Sequence, residues 1–114
     1  MSTDERFPRS ARLAGGPDVR RVLHSGHRAR RTHFDISWLA GTVAHPRMGL
    51  IVPRFRHTAP ERNRLRRRLK EIWRRDLQHA VPLLDVVIRT RRDTYRVPFA
   101  TLRADLIAWR DTVA

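Results

Sequence analysis

The strongest constraint on the fold is one segment, residues 58–75, with the sequence TAPERNRLRRRLKEIWRR. Thr58 and Glu61 have the T-x-x-E spacing of a capping box, in which the threonine hydroxyl accepts a hydrogen bond from the backbone N–H of the third helical residue. Pro60 falls in the first turn, where its missing N–H would have no helical partner. The segment therefore predicts a helix that begins directly after Thr58.

This helix has one apolar face and is otherwise basic. Its apolar side chains recur at helical spacing, which indicates that this face packs against a core. They are Leu65, Leu69, Ile72, Trp73 and Leu77. The other side chains fall into two neighbouring rows of mainly basic residues. The rows are Asn63, Arg67, Lys70, Arg74 and Arg64, Arg68, Glu71, Arg75, whereas Arg62 lies at the end of the apolar stripe.

The charge of this helix is not neutralised within it. Glu61 belongs to the cap, and Glu71 is the only other carboxylate of the segment. A solvated face with alternating charges is the usual explanation of a charged helix, but here most arginines have no acidic neighbour. Like charges one turn apart destabilise a helix by roughly 0.2–0.5 kcal/mol per pair. Because the planar donors of arginine suit phosphate, the excess charge predicts a polyanionic partner.

The composition agrees with a nucleic-acid partner and excludes several other classes. The 114 residues correspond to one domain, and the formal charge of +14 is typical of a nucleic-acid-binding protein. The absence of cysteine excludes disulfides, thiolate metal sites and a cysteine nucleophile. No apolar run reaches the roughly 20 residues of a membrane span, and the N-terminal residues do not resemble a secretory signal. We therefore expect a cytoplasmic protein without a membrane partner.

The apolar pattern of the whole chain predicts a single α+β domain, an α/β sandwich. Residues 1–11 are expected to form a flexible N-terminal segment and residues 12–114 the domain. The predicted elements are a helix over 17–26, a basic connector or irregular edge strand over 27–31, strands over 32–40 and 47–53 paired as an antiparallel hairpin, the basic helix, a buried strand over 83–89 and a helix from residue 98. This order, α-β-β-α-β-α, predicts a mixed sheet with helices packed against it.

Patterns that indicate catalysis or metal binding are weak. The six histidines are scattered without the spacing of a metal site, and the chain has no glycine-rich phosphate loop. Asp35 and Asp85 lie on different predicted strands and could meet, but separate exposed or ion-paired carboxylates are the more common arrangement. The sequence therefore predicts no catalytic residue and no metal ligand in the protein.

The candidate nucleic-acid contacts lie on the basic helix and on the basic segment before it. They are Arg54, Arg56, Arg62, Asn63, Arg64, Arg66, Arg67, Arg68, Lys70 and Arg74. A helix that reads the major groove of DNA directs side chains at the bases and usually belongs to a dimer or carries an arm. Because the apolar stripe occupies one side of this helix and no dimer heptad is present, we expect RNA and not DNA.

Three stretches make the chain similar to a known family. The run 62–71, RNRLRRRLKE, resembles the R-N-R-x-K/R-R-x-x-R/K-E signature of the bacterial ribonuclease P protein component. The run 48–52, MGLIV, is similar to a V-G-L-x-V strand of that family. Arg12-Leu13 followed by residues 18–26 is similar to its N-terminal R-L … D-F-x-x-V-F-x-x-G segment. The likeness extends from residue 12 to the end of the chain.

The resemblance implies a protein subunit of ribonuclease P, the endoribonuclease that matures the 5′ end of tRNA. Such a subunit binds a catalytic RNA and the 5′ leader of precursor tRNA, while the RNA with bound Mg²⁺ performs the hydrolysis and the protein holds no tight cofactor. The resemblance also implies a fold like domain 2 of ribosomal protein S5, with a left-handed β-α-β crossover around the basic helix. Connections of this kind are otherwise right-handed in nearly all proteins.

The resemblance further places the leader in a cleft lined by Val19, Leu23 and Ser37. The family usually has aromatic residues at positions 19 and 23, and often another near 37. Stacking of one base on an aromatic ring is worth ~1–3 kcal/mol. Without these rings, we expect the leader to be held mainly through its phosphates.

The loop before the basic helix also departs from the family. His57-Thr58 stands where the family has Gly-Asn, and the capping box is expected to replace that turn chemistry. Phe55 stands in place of a usual lysine, and it is either a compensating stacking platform or a packed loop residue.

An alternative function is a structural RNA-binding module like a ribosomal protein, with the same charge and no substrate. The physical pattern fits both functions, and only the signature favours ribonuclease P. The sequence leaves open the oligomeric state, the preference for leader sequence and the affinities.

Overall fold

The computed structural model describes residues 12–13 and 15–114, so the predicted flexible segment 1–11 lies outside the described residues. Within the described residues the chain forms a four-stranded mixed sheet and three α-helices. The elements are α1 (Gly16–Ser25), β1 (His27–Arg30), β2 (Phe34–Ala40), β3 (Arg47–Ile51), α2 (Ala59–Ile72), β4 (Leu84–Thr90) and α3 (Phe99–Val113). A π-helical turn, Trp73–Leu77, continues α2, and a 3₁₀ turn, Arg92–Arg96, precedes α3.

The strand order of the sheet is β1-β2-β4-β3, which corrects the predicted hairpin. β2 and β3 do not pair with each other, because β4 lies between them, antiparallel to β2 and parallel to β3. The physical reason is the burial of β4, whose Val86, Val87 and Ile88 point to both faces and are all at most 1% exposed. A strand that is apolar on both faces belongs at the centre of a sheet. The parallel β3-α2-β4 connection is the β-α-β unit that the resemblance implies.

The basic stretch after α1 is a strand and not a connector. β1 pairs antiparallel with β2, with His27 opposite Trp38 and Arg30 opposite Asp35. The observed order is therefore α-β-β-β-α-β-α, one strand more than predicted. Charged residues are typical of an edge strand because they discourage pairing with another chain.

The predicted apolar stripe of α2 is confirmed. Leu69, Ile72 and Trp73 are fully buried. Together with Leu102, Leu106 and Trp109 of α3, they pack against the sheet face that bears Phe34, Ile36, Val86 and Ile88. The threonine half of the capping box is confirmed, because the backbone N–H of Glu61 donates to Thr58 Oγ1 at 3.3 Å. The glutamate half is not, because the Glu61 carboxylate is hydrogen-bonded to the His57 ring. The orientation of α2 follows, with its apolar face on the core and its basic face outward.

The opposite face of the sheet is covered only in part, by α1. Val22, Leu13 and Val87 form a small second core there, bordered by the half-buried Val19 and Leu23. The segment before α1 runs along β3, where Leu13 N–H donates to the Met48 carbonyl at 3.0 Å. A Cβ atom at Gly49 would lie 2.7 Å from the Leu13 carbonyl oxygen, so this close approach requires glycine.

A buried carboxylate ties α1 to the sheet. The Asp85 side chain is fully buried and accepts hydrogen bonds from Arg47 Nε at 2.9 Å and Arg47 Nη2 at 2.8 Å. Arg21 of α1 donates to the same carboxylate, and Asp18 lies 3.6 Å from Arg47. The hydrogen bond to Asp85 raises the pKa of the Arg47 guanidinium, because it stabilises the charged form.

Asp35 and Asp85 do not form a carboxylate pair. In the β2–β4 register Asp35 lies opposite Arg89, and Asp85 lies opposite Leu39 at the other end of the ladder. Asp35 instead accepts a hydrogen bond from Arg91 at 2.8 Å. The expectation of separate, ion-paired carboxylates is therefore confirmed. None of the described helices is long and apolar enough to cross a membrane.

Candidate nucleic-acid interface

The outward face of α2 brings together five of the ten contact residues predicted from the sequence. Asn63, Arg64 and Arg67 are exposed, and Arg66 and Lys70 are half-buried beside them. With Pro60 these side chains line a shallow cavity of about 530 Å³. The lining contains no carboxylate, so the surface is purely cationic and suits a phosphate backbone.

A groove on one flank extends this cationic surface towards β3. Arg66 and Lys70 border the groove together with Arg12, and the cavity measures about 290 Å³. Burial lowers the pKa of Lys70, and the charges of Arg12 and Arg66 lower it further. A bound phosphate would oppose that shift, because an anion stabilises the protonated lysine. Arg12 was not among the contacts predicted from the sequence. No pattern in the residues around it indicates that the segment before α1 lies beside α2 in the folded protein.

Two predicted contacts are engaged within the protein. Arg62 Nε and Nη2 donate to the Val52 carbonyl at 3.2 and 3.1 Å, which joins the start of α2 to the end of β3. Arg74 donates to both oxygens of Glu71, at 3.1 and 2.6 Å, and this pairing lowers the pKa of Glu71. Neither Arg62 nor Arg74 lines the cavity on the outward face of α2.

The loop that precedes α2 contains two residues in the left-handed region. Phe55 has φ 46° and Arg56 has φ 68°, values that are uncommon for residues other than glycine. Arg54 and Arg56 are exposed. Phe55 is half-buried, and the Arg92 guanidinium lies 5.4 Å from the centre of its ring. This environment agrees with a packed loop residue, because a cation already covers part of the ring.

The predicted leader cleft is only partly assembled. Leu23 and Ser37 line one cavity of about 500 Å³ on the sheet face that α1 leaves open. Val19 lies instead in the groove beside Arg12 and Met48. We call the cavity that contains Leu23 and Ser37 the leader cavity. Its lining is Leu23, Arg28, Ala29, Arg30, Asp35, Ile36, Ser37 and Arg89.

The floor of the leader cavity carries arginines that the sequence did not indicate. Arg28 lies opposite Ser37, Arg30 lies opposite Asp35, and Asp35 lies opposite Arg89 in the adjoining pair. Residues that are directly opposite in an antiparallel pair share a face, so the three arginines converge on one surface. In the run HRAR, every second residue is an arginine, which indicates one charged face if the run is a strand. The pattern predicts this surface only once residues 27–30 are known to pair with β2.

The described residues hold no group of three or more histidine, aspartate and glutamate side chains that could bind a metal ion. The surfaces of the protein are instead suited to polyanions. A family model described as Ribonuclease P matches residues 7–113 of the chain.

The chain belongs to the ribonuclease P protein family.

Individual members of that family agree in sequence and in fold. The chain is 30% identical over 109 residues to the ribonuclease P protein component of Syntrophobacter fumaroxidans, a match that covers 95% of this chain and 92% of the relative. A solved structure of the RNase P protein from Thermotoga maritima superposes with a TM-score of 0.79 at 26% identity, covering 90% of this chain and 97% of that one. The RNase P protein of Staphylococcus aureus superposes with a TM-score of 0.81 at 18% identity, covering 90% of this chain and 96% of that one, and shares the fold.

Proposed function

We propose that the chain is the protein subunit of a ribonuclease P, which binds a catalytic RNA and the 5′ leader of precursor tRNA and assists removal of the leader. The observation that carries the proposal is the cavity on the outer face of α2, whose lining has no carboxylate and on which Asn63, Arg64, Arg66, Arg67 and Lys70 converge within the family signature. A surface of this kind neutralises phosphates and releases counterions, which drives binding to RNA rather than to a neutral substrate.

The two cationic surfaces have different tasks in this proposal. The outer face of α2 binds the folded catalytic RNA, whose phosphates are close together. The leader cavity lies over β1, β2 and β4, with Arg28, Arg30 and Arg89 in its lining. The single-stranded leader therefore fits the sheet face, and its phosphates meet Arg28, Arg30 and Arg89.

The chemistry of the reaction is assigned to the RNA subunit in this proposal. Mg²⁺ bound to the RNA supplies the charge stabilisation and the activated water of phosphodiester hydrolysis. The protein contributes by binding, by positioning the leader and by reducing the repulsion between two polyanions. The place of action would be the cytoplasm, and DNA is not an expected partner.

The test is maturation of a precursor tRNA by the cognate catalytic RNA, with and without the full chain, over a range of Mg²⁺ concentrations. We expect the chain to lower the Mg²⁺ concentration required and to cut nothing by itself. An unchanged Mg²⁺ requirement together with tight binding to another structured RNA would favour the ribosomal-protein-like alternative.

Binding to the catalytic RNA is expected to weaken steeply with salt. Each neutralised phosphate contributes roughly −0.7 to −0.9 to the slope of log K against log salt concentration, so several contacts give a slope of several units. Arg67→Ala should make the slope less negative by about one unit. Arg103→Ala is the matched control, because Arg103 lies on α3 and its guanidinium donates to the Asp76 carboxylate at 2.8 and 2.9 Å. A slope near zero would contradict the phosphate contacts.

Restoring an aromatic ring is expected to strengthen leader binding at only one of the two helix positions. Leu23→Phe adds a ring to the wall of the leader cavity, where stacking is worth ~1–3 kcal/mol per base. Val19→Phe is the matched control, since Val19 lines the separate groove beside Arg12. The measurement compares the Kd of the assembled enzyme for precursor tRNA and for mature tRNA. Tighter precursor binding with Val19→Phe alone would place the leader over that groove instead.

A further inference from the structure

A smaller cavity lies beside the first turns of α2 and shares no lining residue with the leader cavity. It measures about 250 Å³ and is lined by His57, Glu61, Arg64, Leu65, Arg68 and Tyr95. A water molecule occupies roughly 30 Å³ in the liquid, so this space admits a planar heterocycle rather than a single water or ion. His57 precedes α2 and Tyr95 precedes α3, so only the fold brings the two rings together.

The two rings form a preorganised stack. Their centres are 3.8 Å apart and their planes differ by 9°. The Tyr95 hydroxyl donates to the Pro53 carbonyl at 2.7 Å, and the His57 imidazole is hydrogen-bonded to the Glu61 carboxylate. The backbone N–H of His57 also donates to the Arg54 carbonyl at 2.8 Å. Both rings are therefore held in place before a ligand binds, which reduces the entropy lost on binding.

The charges around the cavity favour a base inside it and phosphates at its edge. Within the described part of the chain, neither Arg64 nor Arg68 forms an ion pair, and one helical turn separates them. Glu61 remains ionised, because the hydrogen bond from His57 lowers the pKa of its carboxyl group. A phosphate inside the cavity would meet this carboxylate, whereas an uncharged base would meet the rings and the apolar side chain of Leu65.

We propose that this cavity binds one unpaired nucleobase of an RNA partner, with the base against the His57–Tyr95 stack and its flanking phosphates at Arg64 and Arg68. The inference rests on the proposed function, because it supposes an RNA partner. The His57–Tyr95 stack supplies an aromatic contact beside α2, and the lining of the leader cavity has none. His57 and Tyr95 both lie outside the R-N-R signature.

The test compares binding of the full chain to a short oligouridylate and to a ribose-phosphate oligomer of equal length without bases. We expect the oligouridylate to bind at least about fivefold more tightly, the lower limit for stacking of one base. His57→Leu should bring this ratio towards one, and His57→Phe should preserve it because a ring remains. His79→Leu is the matched control, since His79 is exposed beyond the end of α2 and should leave the ratio unchanged. Equal binding of both oligomers to the unmodified chain, or a ratio unaffected by His57→Leu, would overturn the proposal.

A second measurement does not depend on the folding of any variant. Tyr95 is the only tyrosine of the chain, so labelling of tyrosine rings gives an NMR signal from this site alone. The oligouridylate should shift that signal, and the oligomer without bases should not. An unshifted signal at saturating oligouridylate would show that the base lies elsewhere. The proposed function is tested independently by the Mg²⁺ requirement of the assembled enzyme. If the chain left that requirement unchanged, the proposed function would be wrong, whether or not the oligouridylate binds at this cavity.

Discussion

Asp85→Ala is expected to destabilise the protein by about 3–5 kcal/mol, the cost of removing one partner from a buried ion pair. The Asp85 carboxylate is fully buried and accepts from Arg47 and Arg21. Its removal leaves the Arg47 guanidinium, whose side chain is 14% exposed, without its main partner. Because domains of this size are stable by roughly 5–15 kcal/mol, the variant would lose a large share of its free energy of unfolding.

The measurement is urea-induced unfolding, followed by tryptophan fluorescence, with Asp35→Ala as the matched control. Asp35 also lies on the sheet and pairs with one arginine, Arg91, but its side chain is 49% exposed. An ion pair in that environment contributes about 0–1 kcal/mol. Equal losses for the two variants would show that the burial of Asp85 does not decide its contribution.

Leu69→Ala is expected to cost about 2–5 kcal/mol of stability, because it opens a cavity in a fully packed core. The Leu69 side chain is fully buried between α2 and the sheet, in the same core as Trp73 and Leu65. The same substitution should weaken RNA binding only to the extent that the variant is unfolded. At a lower temperature, where the Leu69→Ala variant is fully folded, its affinity for RNA should therefore equal that of the unmodified chain.

Arg67→Ala is the control on the opposite face of the same helix. Arg67 is exposed and lines the cationic surface, so its loss should leave the unfolding midpoint nearly unchanged while RNA binding weakens. The pair is measured by thermal unfolding and by titration with the catalytic RNA. If Arg67→Ala unfolds the protein, or if Leu69→Ala lowers affinity without lowering stability, the assigned orientation of α2 is wrong.

The features of α2 could be predicted because each depends on residues less than two turns apart. The cap at Thr58 follows from the T-x-x-E spacing. The buried stripe through Leu69 and Trp73 and the outward position of Arg67 follow from helical periodicity. Periodicity also shows which face is charged. Periodicity does not show which charged side chains bond to other parts of the chain. The hydrogen bond from Arg62 to the Val52 carbonyl depends on how β3 and α2 pack in the folded protein.

The order of the strands was decided by tertiary structure. Two apolar strands that follow each other, over 32–40 and 47–53, favour a hairpin when only neighbours along the chain are considered. The hairpin is absent because β4 gains burial on both faces by entering between them, and this gain depends on α2, α3 and α1 covering the sheet together.

The sequence alone determined the family and the basic helix, because each depends on a short continuous run of residues. The arginine floor of the leader cavity and the His57–Tyr95 stack were decided only by the tertiary structure. Arg28 and Arg89 share a face because of the register of three strands, and His57 meets Tyr95 because α2 and the turn before α3 pack side by side. Such contacts join segments that are distant along the chain, and no local pattern of charge or hydrophobicity specifies them.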